Sequence, residues 1–221
     1  MEEVFQIALD GPSGAGKSTI AKRVAKALSI DYIDTGAMYR AVAYKMIQEG
    51  ISPLDRKAIK IMLNDTEINF EEGDTILDGQ VISDKIRTPE ISKMASSTSA
   101  FPEVREKLVA LQREMGRTKS VIMDGRDIGT NVFPNAKYKF FLTASVEERA
   151  KRRWMELKEK GQVVALSEVQ EEMIKRDNND KTRALNPLCI AYDAVELDTT
   201  GFSIDQVTEL IIKLVGNVEK G

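Results

Sequence analysis

The chain is expected to adopt an α/β fold, a five-stranded parallel sheet covered by helices, with a small β-containing insert. Three observations lead to that expectation. Short apolar runs, of the kind that make strands buried on both faces, recur at Val4–Leu9, Ile30–Ile33, Ser120–Met123, Tyr138–Leu142 and Val195–Leu197. Helical patterns lie between them, as crossovers between parallel strands require. A cluster of very short β-like runs interrupts this rhythm once, between residues 67 and 82.

The first apolar run leads directly into Gly11–Ser18, GPSGAGKS, and then into a helical pattern from Lys17 to Leu28 with Ile20, Val24, Ala27 and Leu28 at helical spacing. After the short strand Ile30–Ile33, a helix is expected over Gly36–Gly50, carrying Met38, Ala41, Val42 and Met46. Ser52-Pro53 reads as a cap and first turn for a helix over Leu54–Leu63. Three runs then follow, Glu67–Phe70, Thr75–Leu77 and Gln80–Ile82, separated by the turn residues 72–74 and Asp78-Gly79. They predict an antiparallel meander too small to bury a core alone. Phe101-Pro102 opens a helix through Gln112. Ser145-x-x-Glu148, Ser167-x-x-Gln170 and Ser203-x-x-Gln206 are capping-box signatures opening three more, the last with Val207, Leu210, Ile211, Leu214 and Val215 on its apolar face.

Composition removes several classes of function. There is no histidine, so catalytic triads, histidine proton shuttles and histidine-ligated zinc are excluded, and the single Cys189 excludes an intrachain disulfide or a multi-cysteine metal site. Lys and Arg total 32 against 35 Asp and Glu, a net charge of −3, which argues against a nucleic-acid polymer as partner. The opening MEEVFQIALD resembles neither a signal nor a transit peptide, and no apolar run approaches the roughly 18 residues of a membrane span. A cytoplasmic protein without a membrane partner is expected.

GPSGAGKS fits G-x-x-x-x-G-K-[ST] with a buried strand before it and a helix after it, the setting of a phosphate-binding loop and of the P-loop NTPase fold. Glycines let successive backbone N–H groups face a polyphosphate, and the helix N-terminus adds its positive end. ATP is expected along Gly11, Pro12, Ser13, Gly14, Ala15, Gly16, Lys17, Ser18 and Thr19, although Pro12 has no role derivable from its chemistry. Lys17 suits the β- and γ-phosphates and Ser18 suits Mg²⁺. The loop alone leaves motor, transporter, switch and kinase open. The guanine-reading Asn-Lys-x-Asp is missing, the nearest string being Asn178-Asn179-Asp180-Lys181. Arg149, Arg152 and Arg153 share one helix face, as do Arg176, Asp180 and Arg183, and Arg40, Arg87, Arg105 and Arg126 stand at predicted element starts or loops. Solvated salt-bridged faces are the plain alternative. So many guanidiniums in an acidic chain favour a kinase whose acceptor also carries phosphate.

Thr35-Gly36-Ala37-Met38-Tyr39-Arg40, Ile86-Arg87-Thr88, Phe101-Pro102-x-Val104-Arg105, Asp124-Gly125-Arg126-Asp127-Ile128-Gly129-Thr130 and Arg176-Asp177-x-x-Asp180-x-x-Arg183 occur in that order. Together they resemble the bacterial-type cytidylate kinases, nucleoside monophosphate kinases of the P-loop class, over Ile7 to Leu214. A serine is common in that family where Thr35 stands here.

The resemblance implies transfer of the ATP γ-phosphate to CMP or dCMP with Mg²⁺. It implies one domain over 4–218: a core of about 4–36 and 101–218, a monophosphate-binding insert of about 37–100 and a short helical lid of about 147–165. By the same resemblance Asp127 and Arg105 read cytosine, with Arg183 and Thr35 nearby. Ser96, Arg176 and Asp180 surround the sugar, and Arg40 and Arg126 meet the acceptor phosphate. A carboxylate facing the N4 amino group and a guanidinium facing N3 and O2 would reject uracil, since each buried group left unpaired costs about 1–3 kcal/mol. Asp127 also suits loop bracing, and Asp180 a salt bridge to Arg176. One or two of Arg149, Arg152 and Arg153 are expected on the transferring phosphoryl, so the catalytic set is Lys17 and Arg126 with Arg149 and Arg153. Asp124 fits either a water-mediated Mg²⁺ contact beside Ser18 or a plain strand-end turn. The enzyme is expected to work as a monomer on small molecules.

Overall fold

The computed structural model describes residues 4–71, 73–159 and 161–218. In chain order the elements are β1 (Gln6–Asp10), α1 (Lys17–Leu28), β2 (Asp31–Asp34), α2 (Thr35–Gln48), α3 (Arg56–Asn64), β3 (Ile68–Glu71), β4 (Asp74–Leu77), β5 (Gln80–Val81), α4 (Pro89–Thr98), α5 (Pro102–Met115), β6 (Val121–Gly125), a single π turn (Ile128–Val132), β7 (Tyr138–Thr143), α6 (Val146–Glu159), α7 (Leu166–Thr182), β8 (Val195–Asp198) and α8 (Ile204–Val218). They make two compact units, one from the chain up to Tyr32 together with the chain from Lys119 onward, the other from Ile33–Thr118.

The expected α/β architecture is present: five strands in the order β2-β6-β1-β7-β8. β1 pairs in parallel with β6 (Leu9 opposite Asp124) and with β7 (Leu9 opposite Phe140), and β7 with β8. Strands buried on both faces cannot alternate, which is why β1 and β6 read as unbroken apolar runs. Ile7, Leu9, Ile122, Phe140 and Leu142 pack with Ile20, Val24, Val207, Ile211 and Val215 of α1 and α8. Burying each such large side chain contributes roughly 1.5–3 kcal/mol. Leu210, placed by pattern on the apolar face of α8, is instead 43% exposed. The chain leaves β1 toward one side of the sheet and enters β7 on the other. Such a reversal opens a crevice at the carboxyl ends of the strands, where α/β proteins bind ligands.

The Ile33–Thr118 unit holds the meander as an antiparallel sheet, β3-β4-β5, with Ile68 opposite Leu77. Within this unit α2 packs against α4.

Two expectations shift, and one helix was not expected. α3 starts at Arg56, not Leu54, because the Asp55 carboxylate takes the Ala58 N–H at 2.9 Å, which leaves Leu54 in the preceding turn. α7 starts at Leu166, ahead of Ser167, with the Glu168 carboxylate accepting from Ala165 N–H. α4 was not legible, since Ile91, Ala95 and Thr98 make only a faint buried stripe; Thr88 caps it and Pro89 opens it. Of the other two signatures, Ser203 and Gln206 bond reciprocally as a full capping box, whereas Ser145 caps α6 through the Glu148 N–H alone, its own N–H going to Thr200 Oγ1.

Gly11, where β1 gives way to the phosphate loop, has φ +147°, and a Cβ there would lie 2.0 Å from the Leu142 carbonyl oxygen of β7. Backbone cannot yield as a flexible side chain does. Gly11→Ala is therefore expected to destabilise the protein by about 2–4 kcal/mol, read from chemical denaturation at constant m-value.

Candidate active site

The phosphate loop spans 11–16, between β1 and α1. Lys17 turns back over it: Nζ donates to the Pro12 carbonyl at 2.7 Å, and the side chain is buried. Burial, with the nearby Arg126 cation, pulls the ammonium down to about 7, against the opposing carboxylates of Asp124, Asp10 and Asp180. An anion arriving at the loop restores its charge. Ser18 Oγ donates to Asp124 Oδ2 at 2.9 Å, and Tyr32 Oη donates to Asp124 Oδ1 at 2.8 Å. Ser18 and the strand-end Asp124 thus lie side by side, two hard oxygen donors suited to Mg²⁺. Among the described residues no group of three or more Asp, Glu, His or Cys could cage a metal.

At the end of β6, Arg126 Nε donates to Asp180 Oδ2 on α7 at 2.8 Å. Burial works against both charges but each outweighs it for the other: Arg126 is raised, and Asp180 is held below the usual carboxylate range by Arg126, helped by Arg176 and Arg183. Asp127 is clamped on both oxygens, by Arg183 Nη2 at 2.8 Å and by Asn131 Nδ2 at 3.0 Å. Its carbonyl accepts from Asn131 and Val132 N–H, which makes the π turn. Arg183 also donates through Nε to the Asn186 carbonyl at 2.7 Å.

The structure therefore brings Gly11–Thr19, Asp124, Arg126, Asp127, Asp180 and Arg183 together, with Arg176 half-buried on α7 beside Asp180. Arg149 is buried and reaches the loop, donating to the Ser13 carbonyl. Arg152 is tied to Glu148 and to Thr199 after β8, and Arg153 pairs with Glu156 in a more open position. In the Ile33–Thr118 unit, Thr35 opens α2 next to its cap Asp34, whose carboxylate also holds Arg40 at 3.0 Å. Arg105 is buried over the ring of Tyr39 and donates to the Ser99 carbonyl, while Ser96 is half-buried on α4.

Sequence reasoning missed Asp10, Tyr32, Asn131, Asp177 and Lys139. Lys139 is a charge inside the apolar run YKFFL; it is buried and bonded to Asp193 and to the Pro134 carbonyl. Asp10 is the carboxylate that ends β1, and that position was the available signal.

A family model, Cytidylate kinase, matches residues 7–217. The chain belongs to the cytidylate kinase family. It is 51% identical over 220 residues to a protein of Caldicellulosiruptor bescii named cytidylate kinase, covering 98% of this chain and 97% of that one. It is 51% identical over 216 residues to another of that name from Alkaliphilus oremlandii, covering 98% and 100%. Among solved structures it resembles an uncharacterized protein from Eubacterium ventriosum (TM-score 0.54, 14% identity, 96% and 98% covered) and a gluconokinase from Sinorhizobium meliloti 1021 (TM-score 0.51, 13% identity, 99% and 95% covered). At such identity these two speak for the fold alone.

In this member of the family Asp10 braces the π turn, accepting from Ile128 N–H at 2.8 Å and Gly129 N–H at 2.7 Å. Burial pushes its carboxyl up to about 6 against those two bonds; nearby Asp127 adds to the rise and Lys17 opposes it. An acid raised from 3.8 to about 6 on folding contributes stability below pH 4 that is lost as pH climbs through 6. Relative to Asp10→Asn, the native protein should therefore lose on the order of 2–3 kcal/mol between pH 4 and pH 7, measured by denaturant titration across that range.

Proposed function

We propose that the chain transfers the γ-phosphate of ATP to CMP or dCMP, producing ADP and the corresponding diphosphate. The likeness to cytidylate kinases over nearly the whole chain carries this reading. Gly11–Thr19 hold the ATP phosphates through backbone N–H groups, and Lys17 exchanges the Pro12 carbonyl for a phosphate oxygen, bringing charge to where it develops in the transition state. Ser18 and Asp124 would hold Mg²⁺, which when bound neutralises phosphate charge and keeps the transferring group in line. Arg126, kept in place by Asp180, meets the acceptor phosphate and the group in flight. Arg153, the more open of the two lid arginines assigned to the reaction, is free to turn toward the same group by giving up an exposed pair with Glu156. Arg149 acts at the phosphate loop.

Asp127 takes the cytosine amino group. Its clamp by Arg183 and Asn131 supports this, because both oxygens are held by donors and can present fixed lone pairs to a third. Arg176 and Asp180 take the sugar. The Ile33–Thr118 unit supplies Thr35 and Arg105 for the base, Ser96 for the sugar and Arg40 for the acceptor phosphate. A core of about 4–36 and 101–218 carries an acceptor insert of about 37–100 and a lid of about 147–165. In this reading the protein acts as a monomer on small molecules. Among the described residues no helix is long and apolar enough to cross a membrane; a cytoplasmic location is part of the proposed reading.

The test is ADP production from MgATP with CMP, dCMP, UMP, AMP and GMP in parallel. Turnover concentrated on CMP and dCMP is the expected result, and turnover confined to another acceptor would discard the cytosine reading. Asp127→Ala should lower kcat/KM for CMP by about 10- to 100-fold while leaving ATP binding within twofold, because in this reading the carboxylate serves the base and not the ATP phosphates. An equal loss in both would make Asp127 a loop brace.

A further inference from the structure

Every nitrogen of the Arg149 guanidinium is committed within the first unit. Its Nη1 donates to the Ser13 carbonyl at 2.9 Å, its Nε to the Ala144 carbonyl at 3.0 Å, and its Nη2 pairs with Asp177 Oδ2 at 2.7 Å. The side chain is 4% exposed, so the guanidinium itself is withdrawn from water. Reaching a phosphoryl group would mean breaking them. Asp177 is 7% exposed, and its other oxygen, Oδ1, is buried with no partner among the described residues. A buried carboxylate oxygen left without a donor is costly, and the pair with Arg149 is what offsets that cost.

The Ser13 carbonyl belongs to the peptide that carries the Gly14 N–H, and that peptide is trans. Planarity points the two groups in opposite directions. Fixing the carbonyl on Arg149 therefore turns the Gly14 N–H to the other side of the loop. Gly14 has φ +75°, and a Cβ on it would fall 2.4 Å from Met173 Cε and 3.3 Å from Arg149 Cβ. The loop is thus pressed against α6 and α7, which have their own small core of Ala150, Val169 and Met173. Met173, Asp177 and Asp180 lie on one buried face of α7. One rigid helix therefore holds both the phosphate loop and Arg126.

We propose that Arg149 and Asp177 are positioning residues that lock the Ser13–Gly14 peptide with its N–H presented to the ATP phosphates. Asp177 aligns the guanidinium, the guanidinium fixes the carbonyl, and the carbonyl sets the N–H. Neither residue touches the reacting atoms. The proposal rests on the reading of Gly11–Ser18 as the ATP site.

The test follows the Gly14 amide by ¹⁵N–¹H NMR during titration with MgADP, alongside steady-state kinetics with ATP and CMP. In the native protein the amide should move strongly downfield on binding. Arg149→Lys retains a charge for Asp177 but cannot form the three-pointed fork, and Asp177→Asn removes the aligning charge. In both, the Gly14 shift should fall by at least half and KM for ATP should rise about 10-fold, with KM for CMP within twofold. If Asp177→Asn does not fold, Arg149→Lys alone decides. Unchanged Gly14 shifts and ATP KM would overturn the proposal. So would a fall in kcat alone with the amide response intact, which would put Arg149 on the transferring phosphoryl. Failure of the native protein to bind MgADP would overturn the nucleotide reading first and this inference with it.

Discussion

Burying charge at the carboxyl ends of β1 and β6 sets the terms for the rest of the first unit. Asp10, Asp124 and Asp127 are each no more than 5% exposed, and an unpaired carboxylate there would cost several kcal/mol or lose its charge. Each is met by a donor from a different segment. The π turn answers Asp10, Ser18 and Tyr32 answer Asp124, and Asn131 with Arg183 answers Asp127. Satisfying these groups pins α1, the π turn and the end of α7 to the strand ends. The polar network thereby does for the geometry of the site what apolar packing does for the sheet beneath it.

That arrangement is prepared for anions. Burial depresses Lys17 to about 7, and the nearby Arg126 cation adds to the fall. A polyphosphate reverses the penalty on both. The glycines serve the same end. Gly11 passes the Leu142 carbonyl where no side chain fits, so that the backbone itself lines the loop.

Much of this was legible in the residues. GPSGAGKS between an apolar run and a helical pattern already locates the phosphate loop, and the capping serines Ser145 and Ser203 locate two helix starts to the residue. The reading was weaker where local preferences compete. Asp55 outcompetes Ser52 as a cap because its carboxylate reaches Ala58 N–H in the observed turn. α4 escaped notice because small residues make its buried face. Arg149 and Arg153 looked alike as members of one basic helix face, yet one is buried in a three-way clamp and the other stands half-exposed beside Glu156.

By itself the sequence determined the α/β class, the phosphate loop, the absence of histidine chemistry and the family pattern of arginines and aspartates. These depend on residue type, period and short-range spacing, which a chain carries in one dimension. Only the tertiary structure decided the pairings. Asp180 on α7 meets Arg126 after β6, Asp127 meets Arg183, Arg149 meets the Ser13 carbonyl, and Asp10 meets a turn more than a hundred residues away. A charged side chain announces its chemistry in the sequence. Its partner, and so its task, is settled when the strands and helices bring distant residues within about 3 Å of one another, the range over which a hydrogen bond forms.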